Sequence, residues 1–347
     1  MNWRDLDEDD VRVRPNPRGS RPRTKIRPTH ENAPWGMVLE VHLARYRVLT
    51  DDGVEVIATL AKELRADGCV TCDRVALDGD VSGEKGSLAR IVKIADRSSE
   101  LTRVNDEGLE QTIVANADSL VIVMSATNPE PKPRLVDRFL VASFRQKLKP
   151  YLVITKCDLA DPKDFISLFP GVNLEIIKTS KLNPNLSELK KMIAGKKSVF
   201  VGHSGVGKST LINQLAPDTY RRTGDVNELT GKGKHTSSSA VAIAVEDGWI
   251  IDTPGVRTFG ISGATAPEVL QGFEHRRGET AIIRFDHVNT RKSGQRRFVD
   301  LHMHMPASWS LGRAAALRIS VEQALMSAVP GLRATIQLLP SDVEAHF

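Results

Sequence analysis

Cysteine is scarce in this 347-residue chain: there are three, and none occurs after Cys157. No disulfide framework can be drawn from them, so a reducing compartment, the cytoplasm, is the expected location. Cys69 and Cys72 have the spacing of a metal pair, but no second ligand pair lies nearby, and they are expected to pack inside a barrel. No apolar run approaches the roughly twenty residues needed to span a bilayer, and no signal-peptide core is present after the N-terminus. Membrane partners are therefore not expected. Residues 1–34 also lack the apolar side chains of a core. Their acidic opening (Asp5, Asp7, Glu8, Asp9, Asp10) gives way to Arg12, Arg14, Arg18, Arg21, Arg23, Lys25 and Arg27 among prolines. Disorder is the expected state of this basic arm, which reads either as a solvated tail or as a contact for nucleic-acid phosphates. The formal net charge of +5 agrees with a polyanionic partner.

The chain does contain a complete phosphate-binding loop, Gly202-His203-Ser204-Gly205-Val206-Gly207-Lys208-Ser209-Thr210. Val199, Phe200 and Val201 predict a buried strand before it, and residues 210–215 predict the first turns of a helix after it, which is the context the pattern requires. Its glycines let backbone N–H groups turn toward phosphate oxygens at a helix N-terminus. Lys208 is placed to reach the β- and γ-phosphates, and the Ser209 hydroxyl to ligate Mg²⁺.

A second constellation reads the base. Thr155-Lys156-Cys157-Asp158 comes directly after the apolar run 151–154. A carboxylate at a strand end accepts both hydrogen bonds from guanine N1–H and its exocyclic amine, a donor pair that adenine lacks, so Asp158 would select guanine. The Lys156 stem would lie along the base. The strand at 174–178 ends in Thr179-Ser180-Lys181, suited to closing over the base edge. Asp252-Thr253-Pro254-Gly255 supplies a carboxylate for Mg²⁺ and an N–H for the γ-phosphate. Between this motif and the phosphate loop lies the basic, hydroxyl-bearing stretch 230–239, in which Thr236 is the candidate metal-sensing hydroxyl. His235 beside it is either a water-positioning group or a solvated loop histidine.

The motifs stand in permuted order: base motifs first, then the phosphate loop, then the two switches. Together with Val114-Ala115-Asn116-Ala117-Asp118, Gly233-Lys234-His235-Thr236 and the run 252–260, they resemble the circularly permuted, ribosome small-subunit-dependent GTPases of bacteria over residues 35 to about 272. The resemblance implies an OB-fold barrel, a circularly permuted P-loop GTPase domain, the cofactors GTP and Mg²⁺, and a role in late maturation of the small ribosomal subunit with 16S rRNA as partner. Two positions depart from it. Thr155 replaces the usual Asn of the base motif, and Val256 stands where a water-orienting Gln is common. Slow intrinsic hydrolysis with partner-supplied acceleration is the implied behaviour.

Residues 35–112 read independently as a small barrel. Short strands at 36–41, 46–49, 54–58, 73–77 and 89–94 alternate, with a turn at Asp51-Asp52-Gly53. The GTPase part is expected over 113–272. Residues 273–347 break from the family, because its Cys-rich zinc domain cannot form without cysteine. Strands at 281–287, 297–304 and 333–339 around an amphipathic helix 310–328 predict instead a small α+β unit, ferredoxin-like in class. Residues 286–302 and the Val329-Pro330-Gly331 break resemble the cytosolic domain of cation diffusion facilitators, a resemblance that implies dimerisation and metal binding. His302 and His304 alternate on one strand face, with Asp286 and His287 as possible neighbours. The pair is a candidate Zn²⁺ site or plain surface. These residues support three functional readings: a GTPase of small-subunit maturation that binds rRNA through barrel and arm, a GTPase redirected by a metal-binding, homodimerising C-terminal unit, or a non-catalytic RNA-binding protein with vestigial nucleotide binding, against which the intact Lys208, Ser209 and Asp252 argue.

Overall fold

The protein is described from a computed structural model, which covers residues 30–65, 68–104, 110–169, 174–217, 239–253, 266–275, 283–293, 296–329 and 331–341. The arm at 1–29 and the switch residues His235, Thr236 and Gly255 lie outside the described residues.

Five strands form the barrel: β1 (Trp35–His42), β2 (Arg45–Thr50), β3 (Glu55–Leu60), β4 (Arg74–Gly79) and β5 (Ala89–Ile94). Their order is β1-β2-β3-β5-β4, and β4 returns to pair with β1 through Gly36 and Val75, closing the sheet. The Asp51–Gly53 turn forms as its residues dictate, with Gly53 at φ 81° and Thr50 N–H donating to Val54 O at 2.9 Å. Inward-facing Val38, Val48, Val56, Val75, Leu77 and Ile91 fill the barrel. Cys69 packs with them, and burial pushes both thiols up, Cys72 to about 12. Protonated at neutral pH, they serve as packing groups, as the isolated spacing suggests. Next in the chain is a hairpin, β6 (Glu100–Val104) and β7 (Glu110–Ala115).

The nucleotide sheet contains β8 (Ser119–Ser125), β9 (Lys149–Thr155), β10 (Glu175–Lys178), β11 (Lys197–Val201), β12 (Val241–Val245) and β13 (Gly248–Asp252), in the order β10-β9-β8-β11-β13-β12. All pairings are parallel except β12 with β13. Every residue of β8 is buried, as expected of a parallel strand covered on both faces. Leu120, Ile122 and Met124 face helix α1 (Pro133–Arg145) through Val136, Phe139 and Leu140. Val121 and Val123 face the opposite layer, made by α3 (Leu186–Ile193) and α4 (Lys208–Leu215). The short α2 (Lys163–Ile166) lies between β9 and β10. A single β-pairing, Glu40 with Val241, joins barrel and nucleotide sheet into one eleven-stranded sheet.

The C-terminal elements are α5 (Ala266–His275), β14 (Arg284–Ser293), β15 (Arg296–Met305), α6 (Leu311–Ala328) and β16 (Leu332–Pro340). Ser310 caps α6, its hydroxyl accepting from Arg313 N–H at 3.3 Å. The sheet β14-β15-β16 is antiparallel then parallel. Three strands are present among the described residues, where a complete ferredoxin-like unit has four. The first strand also runs past His287 to Ser293, bending at an irregularity between Asp286 and Asn289. The unit shares its core with the nucleotide layer: Val141 of α1 belongs to the same cluster as Val269, Phe273, Val321 and Leu325.

Asp73 shows where the barrel is brittle. It is fully buried, and Arg97 grips both carboxylate oxygens at 2.8 Å while Val70 N–H donates at 2.7 Å. Replacing Arg97 with Met strands that charge, so urea unfolding should show a loss of about 3–5 kcal/mol. The exposed Arg74–Asp51 pair offers the contrast, since Arg74→Met should cost under about 1 kcal/mol.

Candidate nucleotide site

The phosphate loop leaves β11 and turns into α4, which begins at Lys208 with Gly207 as its N-cap at φ 91°. Gly202 is required sterically, because a Cβ there would lie 2.5 Å from Val123 O. Gly205 adopts φ 85°, a conformation that L side chains rarely take. Val206 is fully buried, while Ser204, Gly205, Ser209 and Thr210 are exposed along the outer face of the loop.

The residues expected from the sequence to read the base converge on this loop from β9. Thr155, at the strand end and buried, donates its hydroxyl to Val206 O at 2.5 Å. Lys156, held at φ 59°, donates its ammonium to Gly205 O at 2.9 Å and to Asn128 O. Its head group is therefore on the phosphate-loop backbone. The Asn128–Pro129 segment comes just after β8, and Ser125 anchors it by donating to Pro129 O at 2.6 Å. Asn and Pro in succession signal a turn, yet sequence reasoning did not select this segment, because only the fold lays it beside the phosphate loop.

Asp158 is exposed in the turn after Lys156. The second base loop is tied to the first in both directions: Thr179 N–H donates to Ile154 O at 2.8 Å, and Cys157 N–H to Thr179 O at 3.2 Å. Thr179 is buried, its hydroxyl donating to Pro184 O at 3.1 Å. Ser180 accepts from Asn183 N–H at 2.9 Å, leaving Lys181 exposed on the turn.

At the other end of the loop, Lys208 places its ammonium on the Asp252 carboxylate and donates to Thr253 O at 3.0 Å. Thr253 in turn donates to Phe200 O at 2.9 Å, locking the end of β13 against β11. Asp252 and the exposed Ser209 hydroxyl each offer hard oxygen donors, the chemistry that suits Mg²⁺. The glycine cradle and the helix N-terminus suit a polyphosphate. Thus Thr155, Lys156 and the loop 202–208 are brought together, Asp252 joins through Lys208, and 179–181 joins through the β9 turn.

A second cluster lies on β14 and β15. Donor atoms of Asp286, His287 and His302 lie within 4.8 Å of one another. Asp286 Oδ1 is 3.4 Å from His302 Nδ1, and its Oδ2 is 2.8 Å from His304 Nε2. Burial raises the Asp286 pKa, but the close contact of His304 and the charges of His304, Arg284 and His287 outweigh it, so the carboxyl ends below its ordinary value. His304 is buried with Nδ1 3.4 Å from Pro340 O. The group able to share an ion is thus Asp286–His287–His302, with His304 behind the carboxylate. Sequence spacing favoured His302 with His304; the irregularity at 286–289, with His287 at φ 49°, brings the His287 ring centroid within 4.8 Å of that of His302.

Comparison with known proteins agrees with this geometry. The family model for RsgA GTPases matches residues 94–262, and that for the cytoplasmic domain of cation efflux proteins matches residues 277–341. A Pseudomonas putida protein named small ribosomal subunit biogenesis GTPase RsgA is 34% identical over 260 residues, covering 72% of this chain and 74% of that one. A protein of the same name from Pseudomonas aeruginosa is 36% identical over 212 residues, covering 59% and 62%. The crystal structure of YjeQ from Thermotoga maritima aligns with a TM-score of 0.54 at 27% identity, covering 69% of this chain and 81% of that one. YloQ, described as a circularly permuted GTPase, aligns at 0.51 and 22% identity over 71% and 80%, a likeness of fold. With its base motifs ahead of its phosphate loop on one parallel sheet, the chain belongs to the RsgA family of GTPases and is a GTP-hydrolysing enzyme.

Proposed function

We propose that the chain hydrolyses GTP to time a late step in maturation of the small ribosomal subunit, binding 16S rRNA through the barrel and the basic arm. The observation that carries this reading is the pair of bonds from Thr155 and Lys156 to the phosphate-loop carbonyls, which sets base and phosphate recognition side by side. Relatives named for small-subunit biogenesis support the partner. In this reading the chain divides into arm (1–34), barrel (35–112), GTPase (113–272) and C-terminal unit (273–347).

Asp158 accepts from guanine N1–H and its amine, while 179–181 closes the base edge. The N–H groups of 202–210 surround the phosphates, and Lys208 moves from Asp252 to the β- and γ-phosphate oxygens when they arrive. Ser209 and Asp252 would hold Mg²⁺, with Thr236 completing the set; the ion supplies charge neutralisation at the transferring phosphoryl group. Gly255 N–H senses the γ-phosphate and His235 orients the attacking water. Water attacks the γ-phosphorus, the bond to the β–γ bridging oxygen breaks, and GDP and phosphate leave. No glutamine stands directly after the Asp252 motif, so turnover is slow until a partner completes the site.

A second reading rests on the Asp286–His287–His302 group. In it, Zn²⁺ held there links two copies of the chain and sets GTPase output independently of the ribosome.

Turnover of the full chain should rise on addition of purified small subunits, toward the roughly 10³–10⁵-fold that partner-supplied catalysis provides; a flat response counts against the ribosomal reading. Substituting Lys208 with Ala should abolish tight GTP binding measured by calorimetry, leaving circular dichroism unchanged. In Asp158→Asn, GTP affinity should fall by roughly 100-fold, as expected for two lost charge-assisted hydrogen bonds, while xanthosine triphosphate gains. Unaltered guanine preference would remove Asp158 from the base site. For the second reading, sedimentation should show a Zn²⁺-dependent dimer that His302→Ala returns to monomer.

A further inference from the structure

A cleft of about 1320 Å³ opens between the first turns of α1, the C-terminal helix α6 and the outer side of the phosphate loop. It is larger than the roughly 300–1,000 Å³ usual for a small-molecule site, and apart from His203 and Ser204 of the phosphate loop none of the described residues assigned to the nucleotide lines it. Its floor is apolar, with Leu135, Phe169, Trp309 and Leu317 among the lining residues. Its charge is one-sided. Lys132, Arg134, Arg138 and Arg313 line it, and among the described residues the single carboxylate there, Asp137, receives the Ser320 hydroxyl.

Three features ask for an anion. Arg138 is largely removed from water, its Nε has no hydrogen-bond partner, and burial lowers its guanidinium pKa with no acid offsetting the cost. A desolvated cation of this kind is stabilised by a negative partner. Both helices present their N-terminal turns to the cleft, and neither has an acidic residue in its first turn. No first-turn carboxylate therefore offsets their positive ends, although the Ser310 hydroxyl caps α6. Arg313 lies over Trp309 with its guanidinium carbon 4.0 Å from the ring centroid, which makes a flat, cationic wall on which a planar ring can stack.

We propose that this cleft is a second ligand site, for a small aromatic anion whose ring lies against Trp309 and Phe169 and whose charge is met by Arg138. His203 and Ser204 of the phosphate loop form part of the same wall. An occupant would touch the nucleotide machinery from outside and the C-terminal helix at once.

The test is a fluorescence titration of the full, GDP- and Mg²⁺-loaded chain with 8-anilinonaphthalene-1-sulfonate, an aromatic anion. One saturable site is expected. Affinity should fall about tenfold or more in Arg138→Gln, the scale of one lost charge-assisted hydrogen bond. A comparable loss is expected in Ala316→Trp, which fills the cleft and leaves Arg138 in place. Arg90→Gln, on the barrel, should bind as the parent does, and thermal melts would identify any variant that has not folded. The neutral analogue N-phenyl-1-naphthylamine should bind at least about tenfold more weakly than the anion, since it lacks the charged group. Equal binding of the two probes, unchanged affinity in both cleft variants, or no binding at all would overturn the proposal. Because the readout is fluorescence, it stands apart from hydrolysis and from ribosome dependence.

Discussion

The whole nucleotide site hangs on a backbone carbonyl. Val206 O accepts the Thr155 hydroxyl, and beside it Gly205 O accepts the Lys156 ammonium. These two bonds join loops that arise at the ends of different strands, β9 and β11, separated in the sheet by β8. A threonine has one hydroxyl proton to give, and here it is given to the phosphate loop. The substitution at position 155 therefore preserves the link between base and phosphate recognition with a shorter side chain. Because Thr155 is buried, next to Ile154 and paired with Ser125, both fully buried, the link is held firmly, and a shift of loop 202–208 would carry Thr155 and Lys156 with it.

Permutation leaves this arrangement untouched, since strand pairing depends on which strands are neighbours and not on where the chain is cut. It does change the element reached from β13. In this chain the second switch leads into α5, whose Val269, Leu270 and Phe273 lie in one apolar cluster with Val141 of α1 and with α6. The C-terminal unit is accordingly built into the helical layer of the nucleotide domain, and Ser320 seals the contact at Asp137.

Much of this was legible in the sequence because the signals were local. The phosphate loop needs glycines at fixed spacing, and Gly202 and Gly207 occupy the positions where a side chain collides or φ is positive. The barrel strands declared themselves by alternation, and β5 spans the predicted residues. The contacts that organise the site were not legible, because they join residues far apart in the chain: Thr155 with Val206, Lys156 with Asn128, Asp137 with Ser320. The histidine cluster was legible in part, since Asp286, His287 and His302 were all named from the sequence but their grouping was not. Alternation along β15 pairs His302 with His304, but a backbone irregularity in β14 brings His287 to His302, and no residue pattern announces it. The switch residues His235, Thr236 and Gly255 carry roles assigned by chemistry alone, since they lie outside the described residues.

The shared core of α1, α5 and α6 bears on how such a chain could arise. A module appended by a flexible tether can be exchanged freely, since neither side has shaped itself to the other. Here Ala324 and Ala328 are buried in the C-terminal helix, and Val141 meets that cluster from the nucleotide side. A gene rearrangement that delivered an unrelated tail would leave those apolar faces wet. The junction therefore constrains descent: the two parts of this protein must now mutate in step, and each is the other's solvent shield.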